Sequence, residues 1–256
     1  MRIQDKVAIV TGAASGLGFA TAQMLVDNGA KVNIFDVNEE RGQEAVQALG
    51  HNATFHQVDV TSEEDVQQAI QNIIDTQNHL DIVVNCAGIG PPAKVFGRKG
   101  VMPLDFFKKI IDINLVGTFN VLRLAVEQMA KNDVSDDNAD RGVIINTASI
   151  AAFDGQMGQA AYSASKGAIA SMALPIARDL ASVNIRINTI APGLFETPLM
   201  QGMPENALQS LRQIPEYPKR LGDPSEYAFT AKYMIESDYL NAELIRLDAA
   251  TRMPAK

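Results

Sequence analysis

The alternation of short β-branched runs with segments of helical length constrains this chain more than any other feature. KVAIV, KVNIF, ATFHQV, LDIVVN, GVIINTA, IRINTIA and ELIRLD follow one another along 256 residues, each separated from the next by a longer stretch. Parallel strands need a crossover connection, usually a helix, so this rhythm is that of a parallel sheet. Within it, IVVN and VIIN are apolar at consecutive positions, as expected where helices cover both faces. The expected fold class is α/β, a doubly wound parallel sheet of about seven strands with helices on both faces. No internal repeat or linker-like shift in composition interrupts it, so residues 1–256 read as a single domain.

Composition removes several classes of function. The single cysteine, Cys86, rules out an internal disulfide framework, and His51, His56 and His79 show no metal-ligand spacing with it, so no metal site is expected. A formal charge of −8 repels phosphate backbones as a whole, and no nucleic-acid partner is expected. No apolar run approaches the roughly 18 residues of a membrane span. MRIQDKVAIV carries charges within its apolar part and leads straight into a glycine-rich turn, so it reads as neither signal nor anchor. The expectation is a cytoplasmic protein with no membrane partner.

Directly after KVAIV comes TGAASGLG, which sets Gly12, Gly16 and Gly18, with Ser15 and Leu17 among them, at a strand-to-helix turn. Glycines there let backbone approach a pyrophosphate, and the free N–H groups of the following helix favour an anion. The spacing G-x-x-x-G-x-G differs from the simple dinucleotide fingerprint, and an ordinary turn remains the alternative. Asp36 ends the second run, KVNIFD, roughly 20 residues on, where an acid holds the ribose hydroxyls of adenosine and repels a 2′-phosphate. Asn38 is better placed than Asp36 to cap the following helix. With no arginine beside Asp36, NAD is favoured over NADP in a Rossmann-type site. Asp59 and Val60 end the third run, suited to the adenine ring, although Asp59 also reads as turn chemistry. Asn85, Cys86, Ala87 and Gly88 end the fourth, small enough for backbone to approach a ribose. Cys86 reads more simply as a wall residue than as a reactive thiol, because no base partners it.

VIINTASI brings Ser149 just past a fifth strand, and the next helix carries Tyr162 and Lys166 at i and i+4, on one face. A free tyrosine is a phenolate in only about one molecule in a thousand at pH 7, so as a base it needs nearby positive charge. Lys166 and a cationic nicotinamide are placed to supply it, with Ser149 bonding the substrate oxygen while Tyr162 exchanges its proton. Asn114 lies in DINLVGTFNV, where an amide in a helix interior is an indifferent choice.

TGAASGLG, NCAG, Asn114, Ser149, YSASK and APG together resemble the short-chain dehydrogenase/reductase family over nearly the whole chain. That resemblance implies that Ser149 positions substrate and Tyr162 is the acid/base. It implies that Lys166 binds the nicotinamide ribose and lowers the tyrosine pKa, while Asn114 supports a water-linked proton relay. RGVIINTASIAAFDGQMGQAAYSASKG, IAPGLFETPL, RLGDPSEY and LIRLDAATRM are similar to the type II 3-hydroxyacyl-CoA dehydrogenase group. This closer resemblance implies NAD-linked oxidation of a 3-hydroxyacyl-CoA, branched or unbranched, and a homotetramer. It places Pro192, Gly193, Phe195 and Thr197 by the nicotinamide and makes residues of about 194–215 a lid over the substrate. A 3-oxoacyl-thioester reductase, another secondary-alcohol or hydroxysteroid dehydrogenase, and a non-catalytic nucleotide-binding scaffold are the competing readings.

Two features depart from or extend the pattern. Ala249 stands where the closer group usually has glycine, while Cys86 replaces the second asparagine of the wider family's NNAG and agrees with the closer group. The segment 89–104 carries Lys94, Arg98 and Lys99 and no acid on an insertion near the crevice, so these cations are candidates for the phosphates of CoA. A solvated surface loop is the plainer alternative.

Overall fold

The computed structural model describes residues 1–98, 100–134, 136, 139–197 and 205–255, with the side chains of 206 and 207 excepted. Seven strands form one parallel sheet: β1 (Val7–Thr11), β2 (Lys31–Asp36), β3 (Ala53–Gln57), β4 (Ile82–Asn85), β7 (Gly142–Thr147), β8 (Ile185–Pro192) and β9 (Leu244–Leu247). Their order is β3-β2-β1-β4-β7-β8-β9. The chain therefore winds outward from β1 in one direction and, from β4 on, in the other. Between β1 and β4 the strand order reverses, and a crevice opens above their C-terminal ends.

Consecutive apolar residues serve opposite faces. Val7 and Ile9 of β1 join Val83 and Ile144 in one core, with Val66, Ile70 and Ile73 of α3 (Glu63–Gln77) and Val121 and Met129 of α5 (Gly117–Met129). Ala8 and Val10 join Val84 and Ile145 in the other, with Leu25 of α1 (Gly16–Asp27) and Tyr227 and Met234 of a later helix, α8 (Pro224–Glu236). This is the two-residue period of a strand covered on both sides. Among the described residues no helix is long and apolar enough to cross a membrane.

Helix starts follow local chemistry. Asn38 caps α2 (Glu39–Leu49) by accepting from Arg41 N, as its position in the sequence suggested. Asp223 and Glu226 form a reciprocal capping box at α8, next to Pro224 in its first turn. Ser15, at the start of α1, makes no such side-chain cap. The segment 89–104, expected as a loop, contains a short antiparallel hairpin, β5 (Phe96–Gly97) with β6 (Gly100–Val101), before α4 (Leu104–Ile111). Helix α6 (Ala160–Leu180) carries Tyr162 and Lys166, and α7 (Glu205–Arg212) follows the end of β8. Ala249 and Ala250 have φ of 50° and 58°, the left-handed region in which glycine would be easier. The departure at Ala249 thus lies at a turn, and the turn forms with alanine in place.

Candidate active site

A cleft of about 670 Å³ lies above the switch between β1 and β4. It gathers Gly12, Ser15, Gly16, Leu17, Gly18, Asp36, Asp59, Val60, Cys86, Ala87, Gly88 and Thr197, residues scattered through the sequence. Phe35, Val37, Val58, Ile89, Lys109 and Ile113 line it as well and carried no motif signal. Gly12 has φ of 64°, and a Cβ there would lie 2.8 Å from Ala87 Cα. A Cβ on Gly18 would lie 2.4 Å from Gly12 O. The turn is therefore compressed against both its own backbone and the loop after β4, while the uncapped Ser15, Gly16 and Leu17 line the cleft at the start of α1.

Asp36 accepts from Ala14 N at 3.2 Å and from Asn38 N at 3.0 Å, so backbone holds its carboxylate at the rim. Asp59 accepts from both Thr61 N and Thr61 Oγ1 and so forms the turn before α3, while still lining the cleft. The turn reading of Asp59 is thus observed, in a residue that also lines the cleft. Thr11 is a residue that sequence reasoning passed over. Its hydroxyl accepts from Cys86 N at 3.1 Å and Ala87 N at 3.0 Å, which fixes the NCAG segment against β1.

Four candidates take other positions. Asn85 is buried in β4 and donates to Asn146 Oδ1 of the neighbouring strand at 2.9 Å. Pro192 closes β8, and Gly193 N donates to Leu247 O, with room for a Cβ denied by Asp248 Cα at 2.9 Å. Phe195 is buried, its ring packed on Gly222 and facing a smaller apolar hollow with Leu194, Pro215 and Leu247. These residues shape the strand ends and are not in the wall of the dinucleotide-sized cleft. Lys99 and the part of the expected lid at 198–204 lie outside the described residues; Lys94 and Arg98 are exposed around the hairpin.

The reacting set adjoins the cleft at Gly88 and Gly90. A Cβ on Gly88 would meet Asn114 Oδ1 at 3.1 Å and Lys166 Nζ at 3.6 Å, and one on Gly90 would meet the Tyr162 ring at 3.2 Å. Small residues thus let these backbones lie directly on the catalytic candidates. Asn114 is fully buried within a π-turn, Asp112–Val116, closed by Gly117 N donating to Asp112 O. Its amide grips Ile89 twice: Nδ2 donates to Ile89 O at 2.9 Å, and Oδ1 accepts from Ile89 N at 2.8 Å. The second Nδ2 proton goes to Ser165 Oγ at 3.0 Å, and Ser165 in turn donates to Tyr162 O. The indifferent amide of the sequence is a strut between the loop after β4 and the helix bearing Tyr162.

Lys166 is buried and donates to Thr147 O at 2.7 Å, with Nζ 5.9 Å from the centre of the Tyr162 ring. Burial brings its ammonium down to about 8, partly opposed by Cys86. Burial pushes the Tyr162 phenol up, and the Ser149 hydroxyl facing it pulls it back down in part. In the ligand-free chain burial therefore outweighs the activation of Tyr162 that the sequence pairing suggested. Ser149 Oγ also accepts from Ala151 N at 3.1 Å, which fixes the serine at the start of a 3₁₀ turn. The arrangement offers a proton donor–acceptor, a hydroxyl partner and a buried cation around one point beside a nucleotide-shaped cleft.

These residues sit within the match to known proteins. The model of the short chain dehydrogenase family matches residues 6–207. The chain is 50% identical over 253 residues to the human 3-hydroxyacyl-CoA dehydrogenase type-2, covering 98% of this chain and 97% of that one. It is likewise 50% identical to the Drosophila melanogaster protein of the same name, covering 98% and 99%. The solved 3-hydroxyacyl-CoA dehydrogenase type-2 of Mycobacterium avium superposes with a TM-score of 0.93 at 38% identity, over 100% of both chains. The chain belongs to the short chain dehydrogenase family and is an oxidoreductase of the kind that works with a nicotinamide cofactor.

Proposed function

We propose that the chain oxidises the hydroxyl of a 3-hydroxyacyl-CoA to the 3-oxoacyl-CoA with NAD. The observation that carries the chemistry is the convergence of Ser149, Tyr162 and Lys166 beside the glycine-walled cleft. The substrate class rests on the near-full-length likeness to the human and fly dehydrogenases. Gly12, Gly18 and the start of α1 fit a pyrophosphate, since a side chain at either glycine would collide with backbone and force this tight turn open. Asp36, with both carboxylate oxygens held by backbone, fits ribose hydroxyls and disfavours a 2′-phosphate, which supports NAD over NADP. Gly12, Gly16, Gly18 and Asp36 would hold NAD in this cleft, and the cofactor would supply the hydride acceptor for the carbinol carbon.

Tyr162 takes the proton from the substrate hydroxyl while Ser149 orients that oxygen. Its phenolate form needs positive charge, because burial alone disfavours it. The Lys166 ammonium, held by Thr147 O, supplies a fixed charge on the same helix face and would bond the nicotinamide ribose when NAD is bound. Both Nδ2 protons of Asn114 are taken, by Ile89 O and Ser165 Oγ, so the side chain has no donor left for a proton relay, and in this reading the relay runs through its main-chain oxygen. That oxygen accepts from Thr118 Oγ1 at 2.7 Å. Lys94 and Arg98, exposed on the loop before α4, are the cations offered to CoA phosphates. A homotetramer and a cytoplasmic location complete the reading. The outward Phe229 and Tyr233 of α8 provide apolar surface for such an assembly.

The test is turnover of 3-hydroxyacyl-CoA with NAD and with NADP, in the parent and in Tyr162→Phe. The variant should lose on the order of 10²–10⁴ in kcat while still binding NAD. Undiminished turnover would remove Tyr162 from its role, and a preference for NADP would remove Asp36 from its own.

A further inference from the structure

Beneath the lysine lies a buried polar cluster that the reaction does not directly use. Tyr227, from the RLGDPSEY segment at the start of α8, is fully buried, and its hydroxyl lies 2.6 Å from Thr147 Oγ1. Thr147 is the last residue of β7, and its main-chain oxygen is the acceptor of Lys166 Nζ. The direction of the hydrogen bonds follows from proton counting. Thr147 has one hydroxyl proton, and Asn85 O, 2.6 Å away, can only accept. Thr147 Oγ1 therefore donates to Asn85 O, and Tyr227 donates to Thr147 Oγ1. The Cys86 thiol, 3.7 Å from the Tyr227 oxygen, is placed to donate into the same chain. Burial keeps the phenol of Tyr227 protonated at all working pH values, so it remains a donor.

Sequentially aligned hydrogen bonds polarise one another, and a buried phenol without a partner is costly. A hydroxyl at 227 therefore does more than fill the core under the sheet. It ties α8 to Thr147, whose own hydroxyl bonds Asn85 O at the end of β4, and so braces the residue whose carbonyl receives Lys166. We infer that Tyr227 is a positioning residue for Lys166, acting through Thr147 to hold the ammonium where the nicotinamide ribose and Tyr162 require it. This rests on the role of Lys166 proposed above. It also accounts for Cys86: the thiol lies against both hydroxyls, 3.6 Å from Thr147 Oγ1 and 3.7 Å from Tyr227.

Tyr227→Phe keeps the ring and removes only the donor. We expect kcat to fall roughly five- to tenfold and KM for NAD to rise, because a misdirected carbonyl misplaces the ammonium. The groups facing Lys166 are Tyr162 on its own helix and Cys86 after β4, with Tyr227 behind Thr147. Loosening the acceptor disfavours the charged lysine, so the alkaline limb of kcat should move down by about half a unit. A lower melting temperature with kcat, KM and the pH profile of the parent would overturn the inference and leave Tyr227 a packing residue. If Tyr227→Phe does not fold, Thr147→Ser and Thr147→Val decide: the serine should behave as the parent and the valine should reproduce the loss. A valine variant with parental kinetics overturns the proposal. Lys166→Met serves as the control for the underlying reading, since turnover surviving that change removes the role of Lys166 itself, whatever Tyr227 does.

Discussion

At the nucleotide end of the cleft an added methyl group on Gly18 would sit 2.4 Å from a backbone oxygen, and one on Gly12 2.8 Å from a backbone carbon. At the reacting end the close contacts are hydrogen bonds from buried side chains to groups on other elements: Lys166 to Thr147 O, and Asn114 to the Ile89 backbone and Ser165 Oγ. One end is shaped by the absence of side chains, the other by side chains that must be present and paired. The first should therefore fail sterically and all at once. The second should separate into losses of activity and changes of stability that need not have the same sign.

The largest effect belongs to the steric end. In Gly18→Ala the new Cβ meets Gly12 O, Gly12 C and Ala13 Cα, all backbone, so no flexible side chain can give way. We expect a loss of about 3 kcal/mol or more in stability and no measurable NAD binding, read by thermal melting and by calorimetric titration. Binding that survives with a small change in melting temperature would mean that the turn can relax, and the contrast between the two ends would weaken.

At the reacting end, Lys166→Met should abolish turnover yet stabilise the fold. A lysine titrating near 8 when folded and 10.5 when unfolded binds its proton more weakly in the native state. Between those values the unfolded chain holds more protons, so folding gains stability as pH rises from about 8 to 10.5. Below that window the buried charge is a standing penalty, and its removal should raise stability by about 2 kcal/mol at pH 7 after allowing for the lost bond to Thr147 O. The advantage over the parent should fade by pH 10.5. A variant less stable than the parent at pH 7 would show that the hydrogen bond outweighs the desolvation of the charge.

This difference also explains what could be read from the chain before its fold. Gly12, Gly16, Gly18 and Asp36 are legible because a strand-to-helix turn puts its ligand-binding groups close together in sequence. Tyr162 and Lys166 are legible because four residues make one helical turn. Alternation of apolar runs sufficed for the sheet, since each strand carries both faces in its own residues. Thr11, Thr147, Ser165 and Tyr227 passed unnoticed because each is an ordinary residue whose partner comes from another element, as with Tyr227 of α8 on Thr147 of β7. Asn114 looked indifferent because a π-turn was not expected, and only that turn together with the loop after β4 gives its amide two backbone partners. The resemblance puts Phe195 near the nicotinamide, while the packing of its ring on Gly222 is a long-range contact that no local pattern announces. Long-range pairing, and not local propensity, separates the readable residues from the others.

The smallest effect tests whether proximity to the chemistry is by itself a constraint. Gly167 directly follows Lys166 in α6, yet a Cβ there would meet no atom within 4 Å. Neither mechanism of the comparison applies to it: it allows no close approach, and it has no side chain to pair, its main-chain oxygen accepting from Ser171 Oγ one turn on. Alanine in a helix interior is favoured over glycine by about 0.5–1 kcal/mol, so Gly167→Ala should raise the melting temperature slightly with kcat and KM unchanged. A fall in kcat without loss of stability would show that α6 must flex beside Lys166 during turnover. The reacting end would then depend on freedom of the backbone as well as on the pairing of its side chains.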